Sequence, residues 1–271
     1  MTLIRTALII FLLFISGMLQ AFDSCIHIDI TQAKTLPGWS ALQELFFPDL
    51  ALKTESKLQQ QGMEFSVTDF SMLAEGDIFD LHLAGITEKQ LDYLLRYKML
   101  HPSWSWIKEK GVYTITGENN EKLTVHPTET GMRFFNGTIR QKVLQNYKKQ
   151  KNIIVQGVLL CTDKKDQHPA LSDVSIIYFY LRKENGKIVT DLFIRGEDQE
   201  KNDRIFRDLN IYFTTVYAEA AKKLVVDTNF FNIYKVSREK NWVRLRITLT
   251  PEQAKEFFEQ FGAAMKEMLP R

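Results

Sequence analysis

The chain has 271 residues, 45% of them apolar and 12% aromatic, which is enough to bury a globular core and excludes disorder. Its 35 Lys and Arg against 33 Asp and Glu leave a net charge of +2, which argues against a generic polyanion binder.

The first residues set the compartment. Arg5 precedes an apolar run from Ala7 to Met18, broken only by Ser16 and Gly17, and Leu19-Gln20-Ala21 follows it. This is the layout of a secretory signal peptide over residues 1–21. A retained anchor is the competing reading, but the run is shorter than the roughly 20 apolar residues of a spanning helix. No membrane span is expected after processing. Lipid attachment at Cys25 is not expected, because Phe22 and Asp23 stand where such a site has an aliphatic and a small residue. Cleavage after Ala21 removes one Arg and no acid, leaving 34 bases against 33 acids, a net charge of +1.

In chain order, Cys25 to Ile30 alternates like a strand, with Ile26, Ile28 and Ile30 on one face and Cys25, His27 and Asp29 on the other. A helix is predicted from Pro37 to Phe47, then strands over Met63 to Leu73 and Asp77 to Ala84. Thr87 and Gln90 have capping-box spacing for a helix whose Ile86 and Leu91 make a hydrophobic staple and whose inner face continues through Leu94 and Leu95. Trp104, Trp106 and Ile107 are expected to pack back onto the sheet. A hairpin follows at Val112–Gly117 and Lys122–His126, and then a helix over Ile139–Lys149 with Val143, Leu144 and Tyr147 inward.

A second round opens with the apolar strand Ile153–Cys161. Val174–Arg182 and Ile188–Arg195 then flank Asn185-Gly186, a dipeptide that supplies the two positive φ values of a type I′ turn. From Asp198 to Leu224, Ile205, Leu209, Tyr212, Phe213, Val216, Tyr217, Ala220 and Leu224 keep a helical period. A hairpin of Phe230–Val236 and Trp242–Leu249 places Val243, Leu245, Ile247 and Leu249 on one face and Trp242, Arg244, Arg246 and Thr248 on the other. Thr250-Pro251-Glu252-Gln253 opens a last helix that buries Ala254, Phe257, Phe258, Phe261, Met265 and Met268.

The two rounds resemble each other in sequence. Asp80–Gly85 answers Asp191–Gly196, and Val112–Thr116 answers Ile233–Ser237. The expected fold is therefore α+β, antiparallel sheets covered by helices, with an internal duplication of a strand-strand-helix-strand-strand-helix unit: residues 22–150 form the first half and 151–271 the second.

Motifs that carry chemistry are sparse. Cys25, His27 and Asp29 are three reactive types on one strand face and suggest a thiol-dependent hydrolase using Cys25. Same-face neighbours stand about 7 Å apart, however, which favours a merely polar face. The five histidines lack metal-ligand spacing, and neither cysteine lies in a Cys-x-x-Cys motif. No nucleophile elbow, phosphate loop or dinucleotide fingerprint occurs. Cys25 and Cys161 allow either one disulfide or two free thiols. Trp242, Arg244 and Arg246, joined by Lys235 and Arg238, make an aromatic and basic patch, and Asn136-Gly137-Thr138 matches a glycosylation sequon. The Val174 strand is apolar on both faces, with Ile176, Tyr178 and Tyr180 on one and Ile177, Phe179 and Leu181 on the other. Helices cover only one, so the second needs more of the chain, an apolar ligand or a protein partner. The expectation is an exported soluble binding or scaffold protein of the cell envelope, periplasmic or extracellular. Catalysis, a cofactor and nucleic acid are not expected.

Overall fold

The computed structural model describes residues 23–40, 67–96, 105–117, 121–161, 172–223 and 233–268, and within these the side chains of 213, 216–223 and 260–268 are left aside. The helix expected over Pro37–Phe47, the start of the strand at Met63, and Trp104 fall wholly or partly outside these residues.

The described strands are β1 (Asp23–Asp29), β2 (Asp69–Glu75), β3 (Ile78–Ala84), β4 (Ser105–Glu109), β5 (Val112–Thr116), β6 (Lys122–Pro127), β7 (Gly131–Phe135), β8 (Val155–Leu160), β9 (Val174–Glu184), β10 (Lys187–Gly196), β11 (Tyr234–Glu239) and β12 (Trp242–Leu249). They form one antiparallel sheet in the order β11-β12-β10-β9-β8-β1-β2-β3-β7-β6-β5-β4. The helices are α1 (Ile30–Ala33), α2 (Glu88–Arg96), α3 (Lys142–Asn146), α4 (Gln199–Lys223) and α5 (Pro251–Met268). The described residues are thus α+β, with a single sheet that is continuous where β1 pairs with β8.

Local chemistry explains the best-defined elements. Asn185 and Gly186 turn the β9–β10 hairpin with φ of 51° and 74°, the left-handed values a type I′ turn requires. Both capping boxes close: the Thr87 N–H donates to Gln90 Oε1 at 2.7 Å, and the Thr250 N–H to Gln253 Oε1 at 2.9 Å. The staple residues Ile86 and Leu91 lie together in one buried cluster. Val243, Leu245, Ile247 and Leu249 are buried while the residues between them are half-exposed, as the alternation predicts.

One sheet face carries α2, α4 and α5. Leu91 and Leu95 pack with Tyr113, Ile115, Val125, Met132 and Phe134. Ile205, Ala254 and Phe258 pack with Ile28, Ile177, Leu192, Ile194, Val243 and Leu245. Gly157 lets Phe179 cross β8 on this face, since a Cβ there would lie 2.3 Å from the Phe179 ring. The opposite face has its own core of Cys25, Ile139, Leu144, Val158, Leu160 and Ile176. Its cover is the stretch between the two halves, Ile139 to Tyr147 with α3 inside it.

The structure departs from the sequence reading in four places. First, Ser105–Glu109 is an edge strand: Trp106 packs against the core, but Ile107 is 58% exposed because its register with Thr114 turns it to the open face. Second, β7 was not expected; Gly131–Phe135 is short, yet it is paired on both sides by β3 and β6. Third, the helix expected over Ile139–Lys149 shrinks to Lys142–Asn146, because Gln141 and Tyr147 are extended and Gln141 makes no side-chain cap. Leu144 is buried there and Val143 is exposed. Fourth, the matched segments of the two halves correspond only in part. Asp80–Gly85 and Asp191–Gly196 both lie along or at the end of the third strand from the β1/β8 seam. Val112–Thr116 is three places beyond β3, whereas Ile233–Ser237 is two beyond β10, so this second pair of segments does not hold matching places in the sheet.

Candidate functional site

The reactive trio on β1 separates in the fold. Cys25 Sγ lies 3.5 Å from His27 Nε2, closer than ideal strand spacing predicts, and His27 Nδ1 is 2.6 Å from Ser71 Oγ. Asp29 does not join them; its Oδ1 accepts from the Gln32 N–H at 2.9 Å and caps α1. Cys25 is fully buried, and burial pushes its thiol up to about 12. Burial likewise lowers the His27 imidazole, against a smaller opposing effect of a Tyr147 backbone hydrogen bond. A fully buried neutral thiol thus lies beside a half-buried imidazole on which Tyr147 stacks at 5.8 Å.

Cys161 lies in the core of the other face, and neither it nor Cys25 is in a disulfide. The register explains this: Cys25 pairs with Val158, and an odd step of three residues puts Cys161 through the sheet. Asn136 is committed as well, since its Oδ1 accepts from the Phe79 N–H at 2.7 Å and its Nδ2 donates to the Asp77 carbonyl at 2.8 Å. Among the described residues no group of three His, Cys, Asp or Glu is placed to hold a metal ion.

The basic patch resolves into something more specific. Arg238 turns to the helix side, paired with Asp203 at 2.8 Å and stacked 4.4 Å from the Phe206 ring, because it lies opposite Val243. Arg244 and Arg246 remain on the open face and converge with Arg182 on Asp191. Arg182 Nη1 donates to Oδ2 at 2.6 Å, and Arg244 Nε to Oδ1 at 2.7 Å. Arg246 donates through Nε at 2.9 Å and Nη2 at 3.1 Å. Asp191 is 1% exposed. Burial alone would raise its carboxyl, but the hydrogen bonds from Arg246, Arg244 and Arg182 outweigh that and hold it well below the usual carboxylate range.

Above this network lies an open groove of about 680 Å³. Its walls include Tyr178, Tyr180, Phe193 and Trp242, with Ile153 and Gln150 at the end nearest the interhalf segment. The rings interlock: Tyr178 meets Trp242 edge-to-face at 5.3 Å, and Tyr180 meets Phe193 at 5.9 Å. The Arg195 guanidinium sits 4.8 Å from the Trp242 ring, and that of Arg244 5.1 Å from Phe193. The second face of β9 is therefore covered at Ile176 and, through the stacked Tyr147, in part at Tyr178, while the Tyr180 end stays open. Sequence spacing marked the ingredients Tyr178, Tyr180, Trp242 and Arg244. It could not supply Asp191, whose role depends on three strands meeting across the sheet.

No family model matches the chain, and no curated protein matches it. Among solved structures, crystal form I of TP0453 is similar with a TM-score of 0.50 at 9% identity, covering 89% of this chain and 94% of that one. Crystal form IV of TP0453 gives a TM-score of 0.48 at 11% identity over 88% and 93%. At such identity the form I match is a likeness of fold alone.

Proposed function

We propose that the chain is an exported, non-catalytic binding protein of the cell envelope, and that the aromatic groove on the open face of the second half is its ligand site. One observation carries the reading: four aromatic side chains with their packing and charge partners in place line an open groove among the described residues, on the face α4 and α5 do not cover. Rings already held by neighbours lose little freedom on binding, which favours a site over a fortuitous dent. Among the described residues, no helix is long and apolar enough to cross a membrane.

The hydrolase alternative has the Cys25–His27 contact in its favour and the complete burial of the thiol against it. Common descent of the two halves is part of the same reading. It is supported by Asp80 and Asp191, each in the third strand from the β1/β8 seam and each paired with an arginine of the next strand, Arg133 and Arg246.

Titrating the mature chain with the uncharged dye N-phenylnaphthylamine tests the site. Saturable fluorescence enhancement that is lost in Trp242→Ala and in Tyr178→Ala is expected, and no enhancement in the folded wild type would reject it. N-terminal sequencing of the protein made in its own cells tests export. A mature start at Phe22 is expected, and an intact Met1 contradicts it.

A further inference from the structure

We propose that the groove selects ligands that carry an oxyanion on a flat unsaturated ring system. This rests on the binding reading above and adds the ligand's charge to it.

The rings and charges of the groove point the same way. A cation over an aromatic ring occupies one of its two electronegative faces and draws electron density from the other, so the electropositive edge gains weight in what the ring offers a ligand. Trp242 under Arg195 and Phe193 beside Arg244 are both in this state. The apolar wall therefore presents guanidinium groups and ring edges, and both attract an anion.

The carboxylates nearby are already engaged. Asp191 holds three arginines and is closed to solvent, Glu239 accepts from Arg244, and Glu184 accepts from Arg182. Lys240 lines the groove and Arg195 borders it; both are exposed, and neither pairs with a carboxylate among the described residues. The guanidinium of Arg244 bonds its neighbours through Nε and Nη1, so its Nη2 remains a donor for a ligand. A neutral ligand would leave these donors to water and a cation would be repelled, whereas an oxyanion accepts from them directly. The interlocked rings accept a flat body edge-to-face, as they accept one another.

Anilinonaphthalene sulfonate and uncharged N-phenylnaphthylamine share a ring system and differ by one sulfonate, so their affinities for the full mature chain isolate the charge. The sulfonate is expected to bind about tenfold more tightly in low salt, with the preference shrinking as ionic strength rises. In the double variant Arg195→Gln, Lys240→Gln, at two exposed positions, the ratio of the two affinities should fall to the part that Arg244 Nη2 alone supports, whatever the change in the neutral dye's own affinity. Equal affinities in the wild type would overturn the charge selectivity and leave the binding reading standing. A preference undiminished in the double variant would also overturn it, by placing the anion contact elsewhere. Binding of neither dye would overturn both.

Discussion

A carboxylate with three guanidiniums around it and almost no contact with water cannot lose its charge without stranding its partners. Asp191→Asn removes the charge and replaces one of the two acceptor oxygens by an NH2 donor while Arg182, Arg244 and Arg246 stay crowded together, and breaking such a network costs about 3 kcal/mol. Chemical denaturation of the variant should show a loss near that size, and a change within 0.5 kcal/mol, on the order of an ordinary surface substitution, would contradict the network's role. The same residue gives the fold an acid dependence. Because its folded value lies below the ordinary 3.8, its contribution is present above that pH and is lost as pH falls further. His27 acts in a different window. Its folded value is depressed below 6.5, so stability is full above that pH and falls as pH drops through the folded value, and His27→Gln should flatten this part of the pH profile. At Cys25 the prediction is chemical: a thiol reagent should find no reactive cysteine in the folded chain and two after unfolding without reductant. Residue spacing alone could not choose between a disulfide and two thiols. The choice is made by the pairing of Cys25 with Val158, a contact 133 residues apart in sequence.

Among the elements, those whose signals are local were legible in the sequence. The Asn185-Gly186 turn, both capping boxes and the alternation of β12 each need only a few neighbouring residues, and each formed as read. The elements that were misread are the ones whose conformation is set by distant partners. β7 is a strand because β3 and β6 flank it, and the helix of the 139–147 stretch ends at Asn146, where an extended Tyr147 lies on His27 and Tyr178. That stretch is the lid of the second core. Leu144, fully buried over Cys25 and Val158, should cost about 2–5 kcal/mol when cut to Ala. Leu144→Ala should also speed labelling of Cys25 while leaving Cys161, on the far face, protected. Equal rates for both cysteines would mean the variant opens the whole sheet rather than the lid.

The described strands form one sheet with two unlike faces. Helices close one face along the sheet, and on the other the interhalf segment covers the centre and leaves the second half's rings and arginines accessible. The sequence showed that β9 is apolar on both sides. It did not show which part of the chain would cover the second side, since Leu144 and Ile176 lie far apart along the chain and meet only after β8, β9 and β1 are assembled. The groove is what that cover leaves over, and ligand binding there is the central claim. Fluorine NMR of the mature chain labelled with fluorotryptophan tests it most directly, because the four tryptophans give separate reporters and, among the described residues, Trp242 is the one that lines the groove. With the Trp242 resonance assigned through Trp242→Phe, titration with N-phenylnaphthylamine should shift that resonance and leave those of Trp39 and Trp106 in place. A dye that binds while the Trp242 resonance stays still, or that moves the others first, would contradict the account.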